Sequence, residues 1–214
     1  MNHMADTITA MSAAASEQTR SAEAFLHPLE LPLEQRTDVT VDELEKLALP
    51  HNAELYNGRV VFKMPTLAHG IIQNTIGRKI GNYLETCRIG VVSSDTNFRL
   101  WPERATNSRA PDISLILKER LPEDFYRYPA MAPDLAVEIL SPEDSFEKVM
   151  AKVDEYLSQG VKIVWIVISA TREVLVCTPQ SKHIVRDTLT APELLPGFEL
   201  PVADLFVGLE KMTS

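Results

Sequence analysis

The sequence predicts an α/β domain, and three observations carry that expectation. Two nearly continuous apolar runs of strand length stand at residues 113–117 and 135–140. Two other segments, 68–87 and 143–159, place apolar residues at helical spacing. An Asn57-Gly58 pair sits between two short strand-like segments, and both residue types tolerate the positive φ of a tight hairpin.

The elements follow in order. Residues 1–36 are rich in Ala, Ser and Thr with weak periodicity and read as an extension. Order is expected to begin near Thr40, where Thr40-Val-Asp-Glu43 matches a capping box ahead of a short helix. The hairpin around Asn57-Gly58 comes next. The helix over 68–87 carries Ile72, Ile76, Ile80, Tyr83, Leu84 and Cys87 on one face, with Gly77 and Gly81 allowing close packing. Strands are expected near 91–100, 112–117 and 134–140; the last two, nearly continuous apolar runs over 113–117 and 135–140, suit central strands covered on both faces. A charged connection spans 118–133. Ser141-Pro142 ends a strand and opens the helix over 143–159, with Phe146, Val149, Met150, Val153 and Leu157 as its apolar face and Gly160 as its left-handed cap. Strands at 163–168, 173–177 and 183–187 complete the sheet. Residues 195–201 read as an extended or turn segment before a short final helix.

Composition narrows the function classes. The chain has 214 residues, 45% of them hydrophobic and 24% charged, which suits one globular domain. No run of 18 apolar residues exists, so no membrane span is expected. The first 36 residues lack the pattern of a signal peptide, and the two cysteines, Cys87 and Cys177, fit no metal-ligand spacing. Both read as buried thiols, and the expected location is the cytoplasm. The net charge of −9 argues against a general nucleic-acid binder with a broad basic surface. It leaves room for an acidic site that recruits a divalent metal.

The candidate chemistry lies where charge meets apolar strand. Asp112 stands at the start of one buried run and Glu138 lies inside the next. A buried carboxylate needs a counter-charge or a metal. Asp112 either caps a strand or serves a site; Glu138 either pairs with a nearby Arg or Lys or serves the same site. Lys152, at the shoulder of the following helix and one turn before Tyr156, is either a solvated lysine or one that reaches along the sheet towards the carboxylates. Together the three make a hydrolytic set: carboxylate oxygens for Mg²⁺, and an ammonium to orient water or offset transition-state charge.

These residues carry a family resemblance. Arg109-Ala-Pro-Asp112, Asp134-Leu-Ala-Val-Glu-Ile-Leu-Ser-Pro142, Lys152-x-x-x-Tyr156-x-x-x-Gly160-Val161 and Val164-Trp-Ile-Val167 resemble the Uma family of restriction-endonuclease-like proteins. Glu54-Leu-x-Asn-Gly58, His69 and the segment from Leu195 to Phe206 fit the same pattern, so the resemblance covers roughly residues 38–207. It implies a PD-(D/E)XK fold, a mixed central sheet flanked by helices. Residues 37–208 would form that domain, between the extension 1–36 and a tail at 209–214. Carried over by position, Asp112 and Glu138 are the metal-binding acids, with Glu54 as an extra carboxylate. Leu140 stands where the usual motif has lysine, and Lys152 takes that role from the following helix. His69 either touches a substrate phosphate or makes a hydrogen bond at its helix start. The family's acidic residue after the Trp-x-Val strand is absent, since Ile168-Ser169 follows here.

The resemblance implies a Mg²⁺- or Mn²⁺-dependent endonuclease acting on DNA, double-stranded if two copies cut both strands as a homodimer. The competing expectation is a catalytically silent nuclease-fold module that only binds or interacts. A third is a hydrolase of another phosphate ester, because fold alone does not fix function.

Overall fold

The described residues form ten strands and two long helices. The computed structural model describes residues 31–49, 52–141 and 144–209. Most of the expected extension and the chain beyond Leu209 lie outside the described residues. So do Pro50 and Pro142, expected to mark two element boundaries.

Helix α1 (Val41–Leu44) starts at Thr40, whose side chain accepts the Glu43 N–H at 3.2 Å. The Glu43 carboxylate does not complete the box; it pairs instead with Arg36. Among the described residues, a 3₁₀ turn at Leu33–Gln35 and a buried Arg36 held by Asp38 and Glu43 precede Thr40.

Strands β1 (Ala53–Tyr56) and β2 (Arg59–Phe62) form an antiparallel hairpin. Asn57 and Gly58 both have positive φ, as the turn demands. A Cβ at Gly58 would also overlap the Thr37 carbonyl, so glycine is required twice over. Ala53 and Leu55 join Val39, Val41, Leu44 and Val60 in a small core of their own, which turns Glu54 and Tyr56 to the other face.

Helix α2 (Leu67–Cys87) buries Ile72, Ile76, Ile80 and Leu84, a stripe at four-residue steps. The next step falls at Arg88, beyond the helix, and leaves Cys87 exposed rather than buried as expected; Cys177 is buried. Gly77 and Gly81 bring the backbone against Ile113 and Val92.

The central sheet has the order β3-β4-β5-β6-β7-β8. Its strands are β3 (Gly90–Ser94), β4 (Ile113–Leu117), β5 (Leu135–Leu140), β6 (Ile163–Ile168), β7 (Glu173–Cys177) and β8 (Lys182–Val185). Only β5 and β6 run parallel, joined through α3 (Phe146–Ser158); the other neighbours are antiparallel. The sheet is mixed and flanked by helices, as the resemblance implied. Strand β3 stops short of the expected residue 100, because Asp95 adopts a positive φ and turns the chain before Phe98 bridges to Arg109.

Period-two alternation sorts the central strands between two layers. Ile113, Leu115, Leu135, Val137 and Trp165 face the α2 side, whereas Ile116, Ala136, Val164 and Ile166 pack with Val153 and Tyr156 of α3. The buried face of α3 is thus shifted from the expected stripe: Phe146, in the first turn, is 56% exposed. Strands β9 (Thr188–Ala191) and β10 (Leu195–Pro201) pair as a bulged hairpin, where only an extended or turn segment was expected. A 3₁₀ helix, Val202–Leu209, closes the α2 layer. Among the described residues no helix is long and apolar enough to cross a membrane.

Asp134 shows what a structural carboxylate looks like in this fold. Its Oδ2 accepts the Leu117 N–H at 2.9 Å, and its Oδ1 pairs with Arg120 at 2.7 Å and Lys162 at 2.9 Å. Burial alone would raise its pKa, but the Leu117 hydrogen bond and the two cations together hold it below the usual carboxylate range. A depressed folded pKa gives stability that is present above the unfolded value, near 3.9, and lost as pH falls through the folded one. Asp134→Asn is expected to cost about 2 kcal/mol at neutral pH, with the gap to wild type closing on acidification. Urea titrations from neutral to acid pH check this; a gap that stays constant would contradict it.

Candidate active site

The β4–β5 register pairs Ile113 with Val137. One residue further, Asp112 falls opposite Glu138, so the two acids share one face of adjacent strands. Asp112 is 2% and Glu138 9% exposed. The Asp112 Oδ2 accepts the Ile139 N–H at 2.7 Å, fixing the carboxylate against β5. Like charges directly opposed in a sheet repel, and burial strengthens the repulsion.

Three other elements send side chains to this point. Lys152 of α3 places Nζ 2.8 Å from Glu138 Oε1 and 2.7 Å from Glu54 Oε1, so the lysine does reach along the sheet. One turn later, the buried Tyr156 hydroxyl donates to Glu138 Oε1 at 2.7 Å. Glu54, on the inward face of β1, also accepts the Ala110 N–H at 3.0 Å and faces the Arg109 guanidinium at 3.4 Å. His69 makes the helix-start hydrogen bond, its backbone N–H donating to the Thr66 hydroxyl, and its side chain also faces the site, with Nε2 3.3 Å from Asp112 Oδ1. Its Nδ1 is buried without a partner among the described residues. Asp112, Glu138, Lys152, Glu54 and His69 are therefore brought together, all five.

Several members escaped sequence reasoning. Lys63, just past β2, donates to Asp112 Oδ1 at 2.8 Å and to the Ala110 carbonyl, with Asp95 at 3.9 Å. Gln73 bonds both the Asp95 carboxylate and the Asp112 carbonyl. Arg109 is held by Glu155 at 2.7 Å as well as by Glu54. A signal existed for some of them: Gln73 lies one helical turn after His69, and Arg109 and Tyr156 stand inside the quoted motifs. Lys63 and Asp95 carry no local signature, and only the fold brings them in.

The charges do not balance. Glu54, Asp95, Asp112, Glu138 and Glu155 are five carboxylates sharing three permanent cations, Lys63, Arg109 and Lys152, which leaves two negative charges before His69 is counted. The consequences differ from group to group. For Asp112, burial pushes upward, but the His69 hydrogen bond and the Lys63 charge win and hold it far below the usual range. For Glu138, burial pushes upward and the nearby Asp112 and Glu54 charges add to it; Lys152 and Lys63 do not fully compensate, and its pKa is raised. Burial would also raise Glu54, but Lys152, Lys63 and Arg109 bring it down. Lys63 is raised despite its burial by Glu138, Asp112 and Glu54.

The donor set fits a hard divalent cation. Its ligands would be carboxylate oxygens, and the excess of acids over lysines and arginine at the site favours a cation. Among the described residues no three acidic, histidine or cysteine side chains form a ready-made cage. Mg²⁺ does not need one, since it commonly takes one or two carboxylates and keeps several waters.

A raised carboxyl pKa works against folding: its cost appears as pH rises from the unfolded value through the folded one. Glu138→Gln removes that cost while keeping an acceptor for Tyr156. The metal-free variant is expected to melt above wild type at pH 7.5, the opposite of Asp134→Asn. A fall of several degrees would mark Glu138 as a structural ion-pair partner.

Comparison with known proteins bears on the family and the fold. The profile of the Uma2 family, described as putative restriction endonuclease, matches residues 41–203. A solved protein from Anabaena variabilis, described as a putative nuclease of the DUF820 family, superimposes with a TM-score of 0.66 at 26% identity. The match covers 80% of this chain and 99% of that one. No curated protein matches the chain. The likeness supports a nuclease-like function, and the family match spans most of the sequence: the chain belongs to the Uma2 family of putative restriction endonucleases.

Proposed function

We propose that the protein is a metal-dependent endonuclease that hydrolyses phosphodiester bonds in DNA. The observation that carries this reading is the opposed pair Asp112 and Glu138, buried on one sheet face with a lysine from the next helix between Glu138 and Glu54. Asp112 and Glu138 would hold Mg²⁺ or Mn²⁺, with Glu54 assisting. The ion, when bound, supplies a water of lowered pKa and offsets charge on the phosphoryl oxygens.

The protein's own residues do the rest. Lys152, fixed between two carboxylates and with its stem along α3, presents an ammonium that orients the attacking water and offsets developing negative charge. Tyr156 holds Glu138 from behind, so the carboxylate is kept in one orientation. His69, at the N-terminal turn of α2, stands over Asp112 where a substrate phosphate would approach. Desolvation favours neutral imidazole but the Asp112 contact outweighs it and raises the His69 pKa, and the protonated ring would suit an anion. A two-fold dimer in the cytoplasm, which we also propose, would bring one such site to each DNA strand.

One observation favours the silent-module reading: Lys63 and Lys152 already pair with Asp112 and Glu138. Cleavage of supercoiled plasmid separates the two. The expected result is Mg²⁺- or Mn²⁺-dependent nicking by wild type, reduced about 100-fold or more in Asp112→Ala, Glu138→Ala and Lys152→Ala. A well-folded wild type that nicks no better than Asp112→Ala with either metal would contradict the enzyme.

A further inference from the structure

A cleft of about 620 Å³ opens beside the carboxylates, with Glu54, Glu138 and Lys152 in its wall. Its other side is the outer face of the β1–β2 hairpin and the N-terminal half of α3. Apolar groups line much of it: Tyr56, Val61, Leu140 and Val149.

Tyr56 sets the character of this cleft. It lies two residues after Glu54 on the same face of β1, hence about 7 Å along the strand. It is 45% exposed and lines the cleft. Its ring is braced by the Arg109 guanidinium, 4.9 Å from the ring centroid. Arg109 is itself buried and tied to Glu54 and Glu155, so the ring rests on a fixed support. An exposed aromatic ring held rigid beside a hydrolytic site is a platform for a flat partner.

We propose that this cleft seats one unpaired base of the cut strand, stacked on Tyr56, and that the substrate is DNA that is single-stranded or opened at the cut. The inference rests on the nuclease reading and names its substrate class. Size supports it: a cleft of this volume takes a group of small-molecule dimensions, not the full width of a duplex. Lining supports it too, because pockets for displaced bases combine apolar walls with an aromatic face. Charge points the same way. A chain of net charge −9 does not gain its affinity from many phosphate contacts, whereas stacking is independent of sequence and of a basic surface. Lys148, exposed along the α3 side of the cleft, is placed for a phosphate that flanks a seated base.

The test is binding of an oligonucleotide carrying 2-aminopurine, single-stranded or paired in a duplex, to the full chain with calcium in place of magnesium. The single strand is expected to bind more tightly than the duplex, with quenching of the 2-aminopurine fluorescence. Tyr56→Ala should weaken single-strand binding about tenfold or more and abolish the quenching, and Tyr56→Phe should retain both. Unfolding curves of both variants confirm that they fold. Equal binding of duplex and single strand, or binding unchanged in Tyr56→Ala, overturns the inference and leaves the nuclease reading standing. Binding of neither oligonucleotide overturns both.

Discussion

The structure turns on an unfavourable contact: two carboxylates, Asp112 and Glu138, opposed on neighbouring strands and shut away from water. Left alone, such a pair would protonate or open the sheet. Everything around it answers that repulsion. Lysines arrive from β2 and α3, a histidine from α2, a tyrosine hydroxyl from α3 and a backbone N–H from β5. The compensation is incomplete, which is the difference from Asp134, where one carboxylate meets two cations and a backbone donor. A fold that tolerates a surplus of buried negative charge does so where that charge has a use.

The scaffold explains how so many distant residues meet. Strand β4 begins where β5 ends, so the acids lie at one end of the sheet, next to the first turn of α2 and within reach of α3. The small separate core under the β1–β2 hairpin holds Glu54 and Lys63 over the same point. That hairpin depends on Gly58, so a turn residue far from any chemistry sets the position of two site residues. Arg109 ties the hairpin to α3 through Glu54 and Glu155, and the cleft lies between the parts that it joins.

Much of this was legible in the sequence, for identifiable reasons. The runs 113–117 and 135–140 read as central strands because burial on both faces explains stretches of five and six residues that are apolar except at Ser114 and Glu138. Helix α2 declared itself by its four-residue stripe and the hairpin by Asn57-Gly58. Asp112, Glu138, Lys152, Glu54 and His69 came from motifs, and the fold gathers all five. The misses have a common cause. Lys63 and Asp95 matter through contacts with residues far along the chain, and no local pattern encodes them. Cys87 and Phe146 were assigned from periodicity, which gives a helix face but not how far the partner layer extends beneath it.

The central claim is that Asp112 and Glu138 form a divalent-metal site for which the lysines compensate only in part. A crystal structure of the full chain grown with Mn²⁺, with data collected at the manganese absorption edge, tests it most directly. The account predicts an anomalous peak coordinated by carboxylate oxygens of Asp112 and Glu138, absent in Asp112→Asn. Crystals saturated with Mn²⁺ that show no such peak, with Lys63 and Lys152 still paired to both acids, would contradict it.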